Sequence, residues 1–319
     1  MTRILFLTTT LVVLSGSPEP LLAAKCFWVS SYHRGYEWND GIERGLETVL
    51  KGHCKLKKFF LDTKRNTDPK FGMNQALAAK KEIDSFQPDV LIASDDNASK
   101  YLIQPFFKDK ALPIVFCGLN QPLKAYGYPY KNATGMVEVA PILPLLKSIR
   151  TIIKNPKQGV YLGSNVLTDR SELAQYKAVF EDYDVKLIPY LVDNLKDWKR
   201  AFLSAQQSDF IIMANYSGIS YWNREEALKF IRKNNRLLTV TSHKWMMPFA
   251  MLGITKVPEE QGHWAGMVAT VILDGLSPDE IPISPNRRWL KFINEGLVKS
   301  AKITFPYFFK HSAIGYEYP

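Results

Sequence analysis

The sequence lacks the short motifs on which most enzyme classes depend. It contains no phosphate-cradling glycine loop, no G-x-S-x-G nucleophile elbow and no H-E-x-x-H zinc motif. Its five histidines are widely separated and form no pair at metal-ligand spacing. We therefore expect no enzymatic activity, no catalytic residues, no bound metal and no cofactor.

Long apolar runs, internal repeats and low-complexity tracts are also absent after residue 24, so we expect no membrane-spanning helix there. The 319 residues are 46% hydrophobic and 23% charged, which is typical of a globular protein with a core. The formal charge is +10, but the lysines and arginines are scattered and no stripe interleaves them with aromatic residues. This distribution predicts a solvated basic surface and no nucleic-acid partner.

The first residues have the three parts of an export signal. Arg3 is the single charge before the apolar run Ile4–Leu14, and a polar break leads to the small residues Ala23 and Ala24. The apolar run is about half as long as the roughly 20 residues that span a bilayer. We therefore predict a signal peptide over residues 1–24, no stable membrane insertion after its cleavage, and a periplasmic or extracellular location. An uncleaved N-terminal membrane anchor is the alternative.

Only three cysteines occur, and an exported protein permits disulfide bonds between them. Cys26 and Cys54 each begin an apolar strand, so they lie at the same end of a sheet if those strands are parallel neighbours. A disulfide between them would stabilise the fold by roughly 3 kcal/mol. The alternative is two unpaired thiols. Cys117 lies within an apolar run and is expected to be a small buried residue.

Apolar strands and amphipathic helices alternate along the rest of the chain. The order from Cys26 to Cys117 is βαβαβαβ with short connections, and the pattern restarts at Pro141. Two successive α/β halves predict two doubly wound parallel-sheet lobes, with late elements crossing back to the first. The predicted first lobe comprises residues 25–138 and about 246–280, and the second comprises residues 139–245 and about 281–319.

Small polar, amide and aromatic residues follow nearly every predicted strand. Ligands of doubly wound proteins bind at the carboxyl ends of the strands and between lobes, so these residues predict a ligand cleft. For any single strand end, the alternative is that the polar residue caps the following helix. The candidate ligand-binding residues are Ser31, Tyr32, Tyr36, Trp38, Ser94, Asp95, Asn97, Asn120, Glu138, Ser164, Asn215, Tyr216 and His243.

The types of these side chains predict their roles. The three aromatic residues after the first strand can stack on a flat ligand or pack over that strand. Asp95 and its neighbour Asp96 can bind an amine, or one of them can cap a helix. Glu138 beside the lobe boundary can bind the ligand or pair with a lysine or arginine. His243 can donate a hydrogen bond to a carboxylate or serve a structural role.

Three patches of the sequence are specific enough to compare with a known family. They are Ile114–Ile149, with an N-x-T-G turn at Asn132–Gly135; Glu259–Ile283, with a P-x-x-I-P exit; and the closing run FINEGLVKSAKITFP. These patches resemble the ABC transporter substrate-binding proteins typified by tryptophan/tyrosine receptors. The resemblance implies a type I periplasmic-binding fold with a hinge, which captures a small organic ligand, such as an amino acid or similar metabolite, and delivers it to an ABC permease.

A second role is compatible with the same resemblance. The segment Tyr32–Trp38 looks more like the subgroup whose lobes serve as sensor inputs near histidine kinases. The alternative function is therefore a periplasmic sensor module that signals ligand occupancy to a membrane histidine kinase. A periplasmic enzyme is the third interpretation, and it would differ from both by turning its ligand over.

Overall fold

Two sheets of mostly parallel strands, each packed against helices, make up the structure. The computed structural model describes residues 24–120 and 122–316. The predicted signal peptide over residues 1–24 lies, except for its last residue, outside the described residues. None of the helices within the described part of the chain is long and apolar enough to cross a membrane.

Strands and helices alternate through the first half, as the spacing of its apolar residues predicts. In α1, for example, Ile42, Leu46 and Leu50 recur every four residues, and all three are buried. The elements are β1 (Lys25–Ser30), α1 (Glu37–Leu50), β2 (Lys55–Phe60), α2 (Pro69–Phe86), β3 (Val90–Ser94), α3 (Asp95–Ala98), a π-helical segment (Ser99–Phe107), β4 (Ile114–Asn120), a 3-10 turn (Leu123–Tyr126) and β5 (Ala133–Glu138).

The second half repeats the alternation and ends in short elements. Asn194 and Asn223 begin two of its helices by accepting a hydrogen bond from a backbone N–H in the first turn. The elements are α4 (Ile142–Ile152), β6 (Gln158–Ser164), α5 (Leu167–Glu181), β7 (Lys186–Val192), α6 (Leu195–Ala205), β8 (Phe210–Met213), α7 (Arg224–Asn234), β9 (Leu238–Thr241), a 3-10 turn (Lys244–Phe249), β10 (Leu252–Lys256), α8 (Pro258–Leu273), a 3-10 turn (Pro278–Glu280), β11 (Ser284–Pro285), β12 (Trp289–Ile293), α9 (Glu295–Ala301), α10 (Tyr307–His311) and β13 (Ile314–Gly315).

The first sheet has the order β11-β5-β4-β3-β1-β2, and its paired strands are parallel. Successive residues of β1 point to opposite faces, so Phe27 joins the core under α2 and Trp28 joins the core under α1 and α8. We call this sheet with α1, α2, α3 and α8 the first lobe. The second lobe is the sheet β13-β12-β10-β9-β8-β6-β7 with α4 to α7, α9 and α10, in which β12 is antiparallel to β10.

Within the described residues, the chain crosses between the lobes three times: after β5, after β10 and after β11. The second and third crossings differ from the predicted lobe boundaries. Leu252 of β10 pairs with Val240 of β9 in the second sheet, although residues 246–280 were assigned to the first lobe. Ser284 of β11 pairs with Met136 of β5 in the first sheet, although residues from 281 onward were assigned to the second. Local periodicity identifies a strand but does not specify its distant pairing partner.

Two local predictions also differ from the structure. Residues 133–135 of the predicted N-x-T-G turn lie in β5, where they are buried and pair with β4. The spacing of Asp169 and Glu172 predicts a variant capping box with Asp169 at the start of a helix, but the cap position of α5 is Val166. The Asp169 carboxylate instead accepts hydrogen bonds from the backbone N–H and the hydroxyl of Ser164, each at 2.7 Å. In both cases the tertiary contact overrides the local motif.

The structure bonds Cys26 to Cys54, with their Cα atoms 5.9 Å apart, and leaves Cys117 buried and unbonded. Parallel pairing of Lys25 with Lys55 places the two bonded cysteines at the same end of the first sheet.

Replacing both bonded cysteines by serine is expected to lower the free energy of unfolding by about 3 kcal/mol, because the unfolded chain loses a covalent loop. Urea denaturation followed by circular dichroism measures the difference. The control is a thiol reductant, which should lower the stability of the wild type towards that of the double variant and leave the double variant unchanged. An unchanged midpoint for the double variant would contradict the prediction.

Candidate ligand-binding site

Strand ends of the two lobes face each other and make contacts between the lobes. Glu138 at the end of β5 pairs with Lys256 at the end of β10, and Glu37 at the start of α1 pairs with Lys244 of the second lobe. The Lys256 ammonium also lies 5.4 Å from the ring centre of Trp38. We call this region the interlobe cleft. Its position at the carboxyl ends of parallel strands is where doubly wound proteins bind ligands.

Asp95 places a buried carboxyl group at this cleft, directly after β3. The residue is 2% exposed, and the indole N–H of Trp38 donates to its Oδ1 atom at 2.9 Å. Its Oδ2 atom is buried and has no hydrogen-bond partner among the described residues. The backbone φ of Asp95 is +67°, in the left-handed region that few residues other than glycine and asparagine or aspartate adopt. Such strain concentrates at functional sites.

Gly118 on β4 makes room for this carboxyl group. Its φ is +67°, and a Cβ atom there would lie 2.9 Å from Asp95 Oδ1. A side chain at this position would therefore both strain the backbone and displace the carboxylate.

Burial raises the pKa of Asp95 well above its usual range, and the negative charge of Glu138 adds to the effect, although the Trp38 hydrogen bond opposes it. Burial likewise raises the pKa of Tyr32, followed by the charges of Asp95 and Asp96. It raises the pKa of Tyr36 to about 12, again with a contribution from Asp95. Both phenols thus keep their protons at neutral pH. A positive charge near Asp95 would relieve the electrostatic cost of its carboxylate.

Tyr32 and Tyr36 pack against each other, and the charge of Asp95 acts on both phenols; we call this pair of rings the aromatic corner. Their ring centres are 5.3 Å apart in an edge-to-face arrangement. The ammonium of Lys64 lies 5.1 Å from the ring centre of Tyr32 and 5.3 Å from that of Tyr36. These distances are within the range of cation–π attraction, so the corner already accommodates a cation.

The second lobe contributes a hydrogen-bonded cluster around Glu172 of α5. The Tyr161 hydroxyl donates to Glu172 Oε2 at 3.0 Å, and His243 Nε2 lies 3.3 Å from the same oxygen. Burial alone would raise the pKa of Glu172, but the charge and hydrogen bond of His243, with smaller effects from Tyr161 and Lys256, lower it to about 2. The His243 ring stacks on Trp245 with 4.6 Å between centres.

This cluster predicts an acid-dependent stability. The pKa of Glu172 is about 2 in the folded protein and 4.5 ordinarily, so its contribution is complete above pH 4.5 and is lost as the pH falls towards 2. We expect the wild type to lose about 2–3 kcal/mol over this interval relative to Glu172→Gln, which cannot titrate. Urea denaturation of both proteins at several pH values tests this. Parallel stability curves would contradict it.

Of the thirteen predicted binding residues, the structure brings Tyr32, Tyr36, Trp38, Asp95 and Glu138 together. Glu138 also pairs with Lys256, so the predicted alternative of an ion pair is the one observed in this structure.

The four remaining predicted residues of the first lobe bond to neighbouring strand ends. These bonds tie the ends of the strands together. They are Ser31 Oγ to Ser94 O (2.7 Å), Trp28 Nε1 to Ser94 Oγ (3.1 Å), Asn97 Nδ2 to Thr63 Oγ1 (2.9 Å) and Asn120 Nδ2 to Asp96 Oδ2 (2.8 Å).

The predicted residues of the second lobe also contact residues of their own lobe. Ser164 bonds to Asp169, and Tyr216 stacks on Trp222 with 4.9 Å between ring centres. Asn215 Oδ1 accepts hydrogen bonds from Ser217 and from the indole of Trp245. His243 and Asn215 thus converge on Trp245, whose ring is 45% exposed.

Sequence reasoning missed Lys64, Glu172, Trp245 and Lys256. Trp245 and Lys256 could have been predicted from the sequence. Trp245 follows β9 and Lys256 is the last residue of β10, so both lie at the same sheet edge as the predicted residues. Glu172 lies inside a helix and Lys64 in a loop, where nothing local distinguishes them from solvated charges. Together the residues of the cleft offer hydrogen bonds, aromatic faces and a buried carboxylate. No group of His, Cys, Asp or Glu side chains within residues 24–120 and 122–316 is arranged to hold a metal ion.

No protein-family model matches the chain, and no curated protein matches its sequence. Solved structures do match its fold. A conserved domain protein from Vibrio cholerae is 18% identical with a TM-score of 0.64, over 92% of this chain and 99% of the other. A domain from Streptococcus pneumonia in complex with L-Trp is 16% identical with a TM-score of 0.60, over 91% and 99%. A ligand-free, open substrate-binding protein from Clostridium difficile is 13% identical with a TM-score of 0.74, over 92% and 99%. The chain therefore has the two-lobed type I periplasmic-binding-protein fold, as the sequence predicts.

Proposed function

We propose that the chain is an exported solute-binding protein that captures a small organic ligand in the interlobe cleft and delivers it to an ABC importer. The observation that carries the proposal is the buried Oδ2 atom of Asp95, which has no partner among the described residues. A buried carboxylate without a partner costs free energy, and a ligand between the lobes would remove that cost.

The crossing segments support a hinge mechanism. Asn286, before β12, accepts a hydrogen bond at 2.6 Å from the backbone N–H of Val139, in the first crossing. Glu260 of α8 accepts hydrogen bonds at 2.8 Å from the backbone N–H groups of Arg287 and Arg288. The first bond joins the first and third crossings, and the other two join the third crossing to α8, which follows the second. The lobes can rotate as two bodies about these linked segments and close on a ligand.

A thermal-shift screen of the purified protein tests the proposal. Amines, amino acids, sugars, nucleosides and small carboxylates are each added in excess. A ligand at a hundredfold excess over its dissociation constant should stabilise the protein by about 2.7 kcal/mol, which is readily detected. Small-angle X-ray scattering with the same compound should show a smaller radius of gyration.

The result also separates the proposal from its rivals. A periplasmic enzyme would convert the stabilising compound, so recovery of unchanged compound supports a binding protein. A well-folded protein that no compound of any class stabilises would count against the proposal. The sensor role predicted as an alternative would use the same cleft, and it stays a prediction.

A further inference from the structure

Two lysines of the interlobe cleft are already paired with carboxylates. Lys256 pairs with Glu138, and Lys244 pairs with Glu37 at the exposed rim. In the second lobe, His243 Nε2 lies 3.3 Å from Glu172. A ligand carboxylate entering the cleft would have to compete with these protein carboxylates for Lys244, Lys256 or the His243 ring.

Asp95 is in the opposite situation. One of its oxygens accepts the Trp38 indole N–H, and the other has no hydrogen-bond partner among the described residues. Its nearest charged neighbours include Glu138 and Asp96, which repel its charge, and Lys64, which attracts it. With the paired groups cancelling one another, ionisation of Asp95 gives the buried part of the cleft an excess negative charge, which a cationic ligand would balance.

The aromatic rings beside Asp95 already contact lysine ammonium groups. The Lys64 ammonium lies against the rings of Tyr32 and Tyr36, and the Lys256 ammonium lies against the ring of Trp38. Lys64 is exposed and belongs to a loop, so it can move into solvent when another cation takes its place. Lys256 ends a strand and is held by its ion pair with Glu138.

We propose that the ligand is an organic cation that carries a protonated primary or secondary amine and no carboxylate. Its N–H group donates to Asp95 Oδ2, its positive charge lies against the Tyr32 and Tyr36 rings in the place of Lys64, and it balances the excess negative charge. A zwitterionic amino acid would meet Asp95 equally well, but its carboxylate would either have to break an existing ion pair or bind Lys64, which would keep Lys64 over the rings that the ligand cation is to occupy. This inference rests on the proposed function and specifies the ligand class of the same cleft.

Matched pairs of compounds that differ only by the carboxylate test the inference. The probes are tyramine with tyrosine, tryptamine with tryptophan, and agmatine with arginine, each titrated into the purified protein by calorimetry. We expect the amine of at least one pair to bind at least about tenfold more tightly than its amino acid. The reason is that the carboxylate of the amino acid would be buried without a matching positive charge.

Lys64→Gln supplies the second arm of the test. Because Lys64 competes with the ligand cation, the variant should bind the best amine about two- to fivefold more tightly, and the gain should shrink at high salt. Weaker binding by this variant would show that Lys64 holds an anionic group, and it would overturn the inference. Tighter binding of the amino acid than of its amine would overturn it too.

The outcomes also distinguish this inference from the proposed function. Binding of a sugar, a nucleoside or an amino acid in preference to every amine overturns the ligand class and leaves a solute-binding protein. Failure of the folded protein to bind any compound, including those of the thermal-shift screen, overturns both.

Discussion

Replacing Asp95 with asparagine is expected to make the ligand-free protein more stable while it weakens ligand binding. The carboxylate is 2% exposed, and one of its oxygens has no partner among the described residues. Because the pKa of Asp95 is raised in the folded protein, its ionisation favours the unfolded chain at neutral pH. Asparagine replaces an unpaired buried charge by an unpaired neutral amide, which costs less, keeps the size of the side chain and tolerates the positive φ. We expect a gain of about 1–3 kcal/mol.

The same substitution removes the charge that we propose to bind the ligand. Truncating one partner of a buried charge pair costs about 2–5 kcal/mol, so the dissociation constant of the best-binding compound should rise by about 30-fold to several thousand-fold. Opposite signs for stability and affinity exclude misfolding as the cause of lost binding. Stability at functional sites is commonly exchanged for activity in this way.

Thermal denaturation without ligand and calorimetry with ligand measure the two effects. Asp96→Asn is the matched control, because both oxygens of Asp96 accept hydrogen bonds from Asn120. Its affinity should change by a few-fold at most, since its charge is partly exposed and screened. A destabilised Asp95→Asn protein, or one that binds as well as the wild type, would contradict the role assigned to Asp95.

The second large effect is expected at the contact between α1 and α8. A Cβ atom on Gly262 would lie 2.0 Å from the backbone oxygen of Ile42, and one on Gly45 would lie 2.4 Å from that of Glu259. The two helices thus meet backbone to backbone at glycines. Because a backbone carbonyl cannot rotate away as a side chain can, Gly262→Ala must push the helices apart and open the core that contains Trp28.

Gly262→Ala is therefore expected to cost about 4 kcal/mol or more, a size confined to changes such as core overpacking. Urea denaturation followed by tryptophan fluorescence measures the loss. Gly296→Ala in α9 is the control, because a Cβ there would meet only Asn294 Oδ1, at 3.5 Å. Replacing an unhindered helical glycine by alanine should stabilise the protein by up to about 1 kcal/mol. Equal effects for the two variants would contradict the packing argument.

The contact between α1 and α8 also affects the residues of the candidate ligand-binding site. α8 carries Gln261, whose side-chain oxygen accepts the backbone N–H of Gly118 at 2.8 Å. It also carries Glu260, which binds the third crossing segment. Packing of α8 on α1 therefore holds both the glycine beside Asp95 and the hinge in place.

Sequence periodicity alone determined the α/β alternation and most of the elements. Buried residues recur every three or four positions in a helix such as α1, and continuous apolar runs form the central strands, so local patterns suffice for these. β5 was missed, because its Thr134-Gly135 pair has the composition of a turn and becomes a strand by pairing with β4. The short elements β11, α10 and β13 were missed as well. Which sheet accepts β10 or β11 depends on partners far away in the chain.

The candidate site, too, was predicted in part from the sequence and in part only from the structure. The sequence placed polar residues at the strand ends, and five of those predicted for the first lobe meet at the interlobe cleft. Only the tertiary structure shows that Ser94 and Asn97 bond to neighbouring strands, that Lys256 and Glu172 join the cleft, and that Asp95 keeps a buried oxygen unpaired. A residue's type sets which interactions it can make, but burial and the choice of partner depend on chain segments that only folding brings together.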